Sequence, residues 1–344
     1  MIEPGKAGWL DKPLESPSSI DAVVRPLAVA PCSSDVHNVE MGYITPGRII
    51  GHEGVGEIIA VGQDVKDFQV GDRVVIPAIT PNWRSRAAQI GLHQHWNGLM
   101  TGNSLSVSQD GLMAEYTLVQ DADMNLAHLP DEIPLTTGVM ISDMMSTGFY
   151  GAELAGVSFG DTVVVIGIGP VGLMAVAGAK LRGAGRIIAV GSRPVCVEAA
   201  YSYGATDVIN YRDGDITKLV YQLTNKRGAD RCIIAGGGEE VLDQAITMVR
   251  WGGVVSNINY FTTQGPISMS NKRWGFGMGN KTIQSGLCPG GRARMEALIA
   301  MVQHGRVDPS VLITHTFEGF EKLEDAYQLM AHKPKDLIKP VVCL

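Results

Sequence analysis

Cys32, His52 and the Glu53 that follows the histidine are the side chains here whose types most directly suggest chemistry. Thiolate sulfur, imidazole nitrogen and carboxylate oxygen are all zinc donors, and a catalytic zinc takes three protein ligands and keeps one position open. Cys32 lies in Pro31-Cys32-Ser33-Ser34-Asp35-Val36-His37. His52 lies in Gly51-His52-Glu53-Gly54-Val55-Gly56, with Gly62 and Val65 following. Taken singly, the commoner reading of the cysteine is a small buried hydrophobe, and of the histidine a satisfied core side chain. Ser34 and His37 read either as turn residues or as a hydroxyl and an imidazole able to move a proton.

The other stretch with chemical content is Gly167-Ile168-Gly169-Pro170-Val171-Gly172, a G-x-G-x-x-G. That pattern is weak alone and specific when a strand runs into it and a helix leaves it. Val163-Val164-Val165-Ile166 is too continuously apolar for a half-exposed strand, so a buried parallel one is predicted. Leu173, Met174, Val176, Ala177 and Leu181, set among small residues, read as a packed helix. Gly183 and Gly185 end it, and Arg186-Ile187-Ile188-Ala189-Val190 is the next strand. The glycines allow a tight turn and let a pyrophosphate reach the helix N-terminus, where free N–H groups favour an anion. Past the second strand an NAD site carries Asp or Glu for the ribose hydroxyl, whereas this chain has Gly191-Ser192-Arg193. A hydroxyl and a guanidinium bind a 2′-phosphate and no carboxylate repels it, so the predicted cofactor is NADP.

The chain has 344 residues, 45% hydrophobic and 18% charged, which suggests two domains. A net charge of -7 with no basic run argues against nucleic acid or an anionic membrane as partner. No apolar stretch reaches the roughly 18 residues of a membrane span, and the opening residues show no signal-peptide core, so a cytoplasmic location is expected. The five cysteines are scattered without a C-x-x-C, so no disulfide framework is expected.

Short strands with Gly, Asp and Pro turns dominate the first part: 22–30, 55–61 and 71–76, with a patternless excursion over 82–111. They suggest an all-β or barrel-like domain. After Arg193 the α/β alternation continues: a helix over 197–203, then strands at 207–211, 231–235, 254–260 and 282–287 complete a doubly wound unit. Helices near 292–304 and 321–330 and a strand over 338–342 follow.

The G-H-E-x-x-G-x-x-x-x-x-G-x-x-V pattern from Gly51, the PCSSDVH segment and GIGPVG together resemble the zinc-dependent medium-chain alcohol dehydrogenases. Pro77-Ala78-Ile79-Thr80-Pro81, Asp121-Ala122-Asp123-Met124-Asn125-Leu126, VAGAKLRGAGRIIAVGSRP and KPKDLIKPVV are similar to the bacterial NADP-dependent secondary alcohol dehydrogenases within that superfamily. The resemblance covers almost the whole chain. It implies an α/β protein with a GroES-like β-barrel catalytic domain from residues 1–146 and 288–344 and a Rossmann coenzyme domain from 147–287. It implies Asp143, in Ile141-Ser142-Asp143-Met144-Met145, as third zinc ligand beside Cys32 and His52, with Glu53 an occasional or outer ligand. A carboxylate in place of a thiolate makes a harder, more exchangeable site.

Relatives that hold a structural zinc use four closely spaced cysteines, and residues 82–111 contain none, so one zinc is expected. His93 and His95 form an H-x-H without a third ligand nearby and read as loop or packing residues. The resemblance further implies cofactor contacts from Tyr211, Ile258, Asn259, Tyr260 and Lys333, and a pocket in the interdomain cleft bordered by Ala78, Ile79, Leu287 and Cys288. Met278 would approach from a neighbouring subunit of a homotetramer. Two departures stand out. The segment before Ile2 is shorter, which implies an opening strand that is missing or shortened, and Asn103 replaces a tryptophan, which implies a wider and more polar pocket.

The reaction implied is reversible oxidation of a small secondary alcohol to a ketone. Zinc would act as Lewis acid, Ser34 would take the hydroxyl proton, His37 would pass it to solvent, and Thr147 would help position the nicotinamide. The alternatives are a zinc polyol dehydrogenase or aldehyde reductase of the same superfamily, and a non-catalytic NADPH-binding relative. The last would be expected to have damaged ligands, whereas Cys32, His52, Glu53 and Asp143 are all present.

Overall fold

The computed structural model describes residues 1–95, 105–262 and 265–344. They form two compact units, Met1–Ser146 with Pro289–Leu344, and Thr147–Cys288. The strands among them are β1 (Ala22–Ala30), β2 (Glu53–Val61), β3 (Arg73–Ile76), β4 (Thr117–Val119), β5 (Ala127–His128), β6 (Thr162–Ile166), β7 (Arg186–Val190), β8 (Asp207–Ile209), β9 (Ala229–Ile234), β10 (Val249–Asn257), β11 (Thr282–Ser285), β12 (Ile313–Glu318) and β13 (Lys339–Cys343).

β1 is the spine of the first unit, in the sheet order β12-β13-β1-β2-β3-β5. One of its edges pairs antiparallel with β2. The other is shared between β4, beside Ala22–Val24, and β13, beside Ala28 and Val29. Pro26 has no N–H to give the ladder, and the β1–β2 register slips between Pro26 and Ala28. Val24, Val29, Ile58, Val74, Ile76 and Leu112 fill the core against Ala326 and Val342 from the end of the chain. Each such branched side chain stabilises the unit by about 1.5–3 kcal/mol when buried. The chain's return from residue 289 is therefore integral to this sheet.

The second unit is a parallel sheet in the order β11-β10-β9-β6-β7-β8. Both faces are covered, so β6 and β7 are buried at all but their first residue, as their unbroken apolar runs require. Strand order reverses between β6 and β9, which leaves a crevice at their carboxyl ends. Arg186 Nη2 and Nε donate to the two oxygens of Asp207 at 2.8 Å each, a fork that ties β7 to β8.

Several strand expectations need correction: those over 254–260 and 282–287 stop at Asn257 and Ser285. β8 ends at Ile209 rather than Tyr211, because Asn210 starts a turn whose side-chain oxygen accepts from the Arg212 N–H at 3.0 Å. The sequence offers the strand through Val254 as an edge for sheet extension, but β10 is internal; the edges are β8 and β11, the latter exposed at all four residues.

Candidate active site

Cys32 caps the helix Ser33–Glu40, and Asp35 in its first turn accepts from the Cys32 N–H at 2.9 Å. Asp35 is buried, 1% exposed, and also accepts from the Gly51 N–H at 3.3 Å and meets His52 Nδ1 at 3.1 Å. Burial pushes the Asp35 carboxyl up, but His52 and the Cys32 N–H more than offset it and hold it below its usual value. Gly51 has φ 97, a left-handed conformation, and a Cβ there would meet Met113 Cγ at 2.7 Å, so glycine is what lets the chain deliver His52 into β2.

With Nδ1–H donated to Asp35, the His52 tautomer turns Nε2 towards Asp143 Oδ2 at 3.7 Å and Ser34 Oγ at 3.4 Å. Asp143 reaches this point from the π-helical turn Ile141–Met145, all five residues of which are buried. The extra residue per turn re-aims a side chain that a regular helix would direct elsewhere. One donor atom from each of Cys32, His52, Glu53 and Asp143 lies within 4.8 Å of every other.

Glu53 opens β2 with no exposure, and its Oε1 accepts from Lys339 Nζ at 2.5 Å. Burial pushes its carboxyl up to about 7, against the pull of Lys339. Burial alone would lower the His52 pKa, yet Asp35 first, then Asp143 and Cys32, carry it well above its ordinary value.

His37 does not join the cluster. It sits one turn beyond Ser34, about a third exposed, with Nδ1 3.7 Å from Glu40 Oε2. Ala78 and Ile79 are buried, and the Ala78 N–H donates to Ser142 O at 3.1 Å, beside Asp143. His93 stacks on Trp83 at 4.8 Å, consistent with a packing role. Asn103 lies outside the described residues. A cavity of about 680 Å³ bordered by Trp9, Tyr116, Thr117 and Tyr327 contains none of the four clustered donors, so its size does not make it the site.

In the second unit, Gly167 (φ 87) ends β6, and Pro170 starts the helix Pro170–Leu181 with the fixed φ that a first turn needs. A Cβ on Gly172 would lie 1.9 Å from Gly167 O, so the turn Gly167-Ile168-Gly169-Pro170-Val171-Gly172 closes only with glycine there. Gly191 packs on Ile168, and Arg193 reaches back towards Gly169. The Tyr211 hydroxyl is hydrogen-bonded with Ser192, which, with Arg212 and Arg193 nearby, lowers its pKa. Arg212 lies over the Tyr211 ring, 5.7 Å from its centroid. Asn259 Nδ2 donates to Gly237 O at 3.2 Å, and the Ile258 N–H to Ile234 O at 3.0 Å, which holds this segment at the carboxyl end of the sheet. Tyr260 follows it, 38% exposed. Thr147 Oγ1 donates to Cys288 Sγ at 3.2 Å, and Leu287 beside it is half-buried. Lys333 belongs to the first unit, where it ends the helix Leu323–His332 at φ 47.

Residues 18–131 match the alcohol dehydrogenase GroES-like domain, and residues 170–304 match the zinc-binding dehydrogenase family. The chain is 58% identical over 346 aligned positions to an NADP-dependent isopropanol dehydrogenase of Thermoanaerobacter brockii, covering 100% of this chain and 98% of that one. It is 56% identical to an NADP-dependent isopropanol dehydrogenase of Clostridium beijerinckii, with 100% and 99% covered. The chain belongs to the zinc-dependent medium-chain alcohol dehydrogenases. A solved structure of that family, zinc-dependent alcohol dehydrogenase 2 from Streptococcus pneumonia, is similar with a TM-score of 0.88 at 27% identity, covering 99% of this chain and 96% of that one.

The family implies zinc, and the donor set fits it. Glu53 Oε2 is buried with no hydrogen-bond partner among the described residues, an omission that costs about 1–3 kcal/mol unless a cation fills it. The cluster also sets one imidazole, its outer nitrogen fixed by a carboxylate, against three acidic side chains, the arrangement that favours a divalent ion. Sequence reasoning missed two residues of this centre. Asp35 looks like any acidic residue in a first helical turn, and Lys339 looks like one lysine among several in KPKDLIKPVV.

Proposed function

We propose that this chain oxidises small secondary alcohols to ketones, reversibly, with NADP as hydride acceptor. The observation that carries this reading is the convergence of Cys32, His52, Glu53 and Asp143 around an unpartnered, buried carboxylate oxygen. Cys32, His52 and Asp143 would hold one zinc, with Glu53 in reserve. When bound, the zinc would supply Lewis acidity, which lowers the pKa of an alcohol hydroxyl.

The rest falls to the chain's own side chains. Asp35 holds His52 through Nδ1 and so turns Nε2 into the cluster, and Ser34 Oγ, beside that nitrogen, takes the substrate's hydroxyl proton as it releases its own. His37, on the same helix and open to solvent, is the exit for that proton. Ala78 and Ile79 of the first unit and Leu287 and Cys288 of the second carry small or apolar side chains suited to short ketones, and Thr147 orients the nicotinamide. The Gly167–Gly172 turn receives the pyrophosphate. Ser192, Arg193 and Tyr211 receive the 2′-phosphate, which a carboxylate there would repel. Ile258, Asn259, Tyr260 and Lys333 complete the cofactor contacts.

The protein is proposed to work as a cytoplasmic homotetramer without nucleic-acid or membrane partners. The negative net charge supports the latter reading. The exposed β11 edge, with Trp251, Phe276, Met278 and Ile283 exposed on the same unit, supports self-association.

Steady-state rates with 2-propanol and with sorbitol, each with NADP and NAD, test the assignment. NADP should exceed NAD by at least about tenfold in kcat/KM, and 2-propanol should outpace sorbitol. A sorbitol rate equal to that of 2-propanol would favour the polyol alternative.

A further inference from the structure

Lys339 is a lysine with no exposure whose ammonium lies 2.5 Å from Glu53 Oε1, itself without exposure. A buried ion pair is a weak source of stability, because taking both charges out of water costs about what their attraction returns. Its position suggests another use. The other oxygen of the same carboxylate, Oε2, is buried without a hydrogen-bond partner among the described residues, and Glu53 is one of the four clustered donors. Strand order places β1 between Lys339 on β13 and Glu53 on β2, so the contact is a long-range one that the sheet builds at the metal site.

We propose that Lys339 is a positioning residue for the metal centre: it holds Glu53 Oε1, so that the carboxylate can offer a cation only Oε2, and it offsets one negative charge of the donor set. The inference rests on the zinc reading above. With Cys32 as thiolate, Glu53 and Asp143 ionised and His52 neutral, the donors carry three negative charges, and Lys339 reduces them to the two that a divalent ion balances. Asp35 is satisfied separately by His52 and two main-chain N–H groups. Lys339 thus limits how tightly the centre grips its ion and keeps Glu53 at the margin of the ligand set.

The test measures zinc affinity by chelator competition, thermal stability with and without zinc, and the visible spectrum of the cobalt-substituted protein, in the parent, Lys339→Met and Lys339→Arg. Lys339→Met should bind zinc at least about tenfold more tightly, because a positive charge beside the ion has gone. Its melting temperature should separate more widely between zinc-loaded and zinc-free forms, since Glu53 without a counter-charge destabilises only the latter. Its cobalt spectrum should shift as the second Glu53 oxygen is released. Lys339→Arg should stay near the parent. Equal zinc affinity in the parent and Lys339→Met, with both forms of the variant destabilised alike, would reduce the pair to a structural contact and overturn the proposal. A parent that binds no zinc would overturn the zinc reading instead. If Lys339→Met does not fold, Glu53→Gln tests the pair from the other side. Zinc should then bind at least about tenfold more weakly, with the Lys339 charge uncompensated, and an unchanged affinity overturns the proposal.

Discussion

Asp143→Ala should lower kcat for 2-propanol oxidation by about a thousandfold or more, with NADP binding retained. Asp143 supplies one of the donors that gather within 4.8 Å of each other in the first unit, whereas the turn proposed to receive NADP lies in the second. Losing Lewis-acid stabilisation worth about 4 kcal/mol corresponds to roughly a thousandfold at 1.36 kcal/mol per decade. Asp35→Asn is the informative contrast. It leaves all four donor side chains unchanged and weakens only the hold that Asp35 has on His52 and on the Cys32 and Gly51 N–H groups, so the loss should be about 10–100-fold. The check is kcat for both variants beside NADPH affinity by fluorescence titration. An Asp143→Ala enzyme within tenfold of the parent would remove this carboxylate from the chemistry.

Arg193→Ala should raise KM for NADP by about 10–100-fold and leave KM for NAD nearly unchanged. A hydrogen bond to a charged group is worth about 1.5–3 kcal/mol, and the lost interaction exists only with the cofactor that carries a 2′-phosphate. Arg193 lies near the Gly169 turn, with Ser192 and Tyr211 joined beside it. The change should therefore appear as a narrowed preference for NADP, with kcat at saturating cofactor retained. Paired titrations of both cofactors against a fixed alcohol give the ratio. An equal loss with NAD and NADP would mean that Arg193 supports the fold of the turn and does not read the phosphate.

Much of the second unit is legible in the sequence because its signals are local. A buried strand, a glycine turn and a packed helix occupy consecutive residues from Thr162 to Leu181, and the structure sets β6, the turn and the helix on those residues. The shorter β8 shows where local reading fails: Asp207 to Tyr211 looks extended, but the Asn210 side chain captures the Arg212 N–H and turns the chain. The edge at β11 was equally hidden, since nothing in a strand's own sequence states which neighbour it will have.

The metal centre divides the same way. Cys32, His52 and Glu53 are marked by residue type and by the glycines around them, one of which holds a positive φ. Asp143 carries no local mark. Its place came from the resemblance alone, because its direction depends on a π-helical turn that no periodicity shows. Lys339 was invisible for a plainer reason: lysine is rarely fully buried, and only the sheet register brings it to Glu53.

Bound zinc and NADP-linked oxidation of 2-propanol, measured on the same samples as a chelator strips the metal and as zinc is then returned, is the most direct measurement. The rate should fall in step with the metal, vanish as occupancy goes from about one zinc per chain to none, and return with it. A metal-free protein that keeps its fold and still oxidises 2-propanol at the parent rate would contradict the assignment of Cys32, His52, Glu53 and Asp143 as the reaction centre.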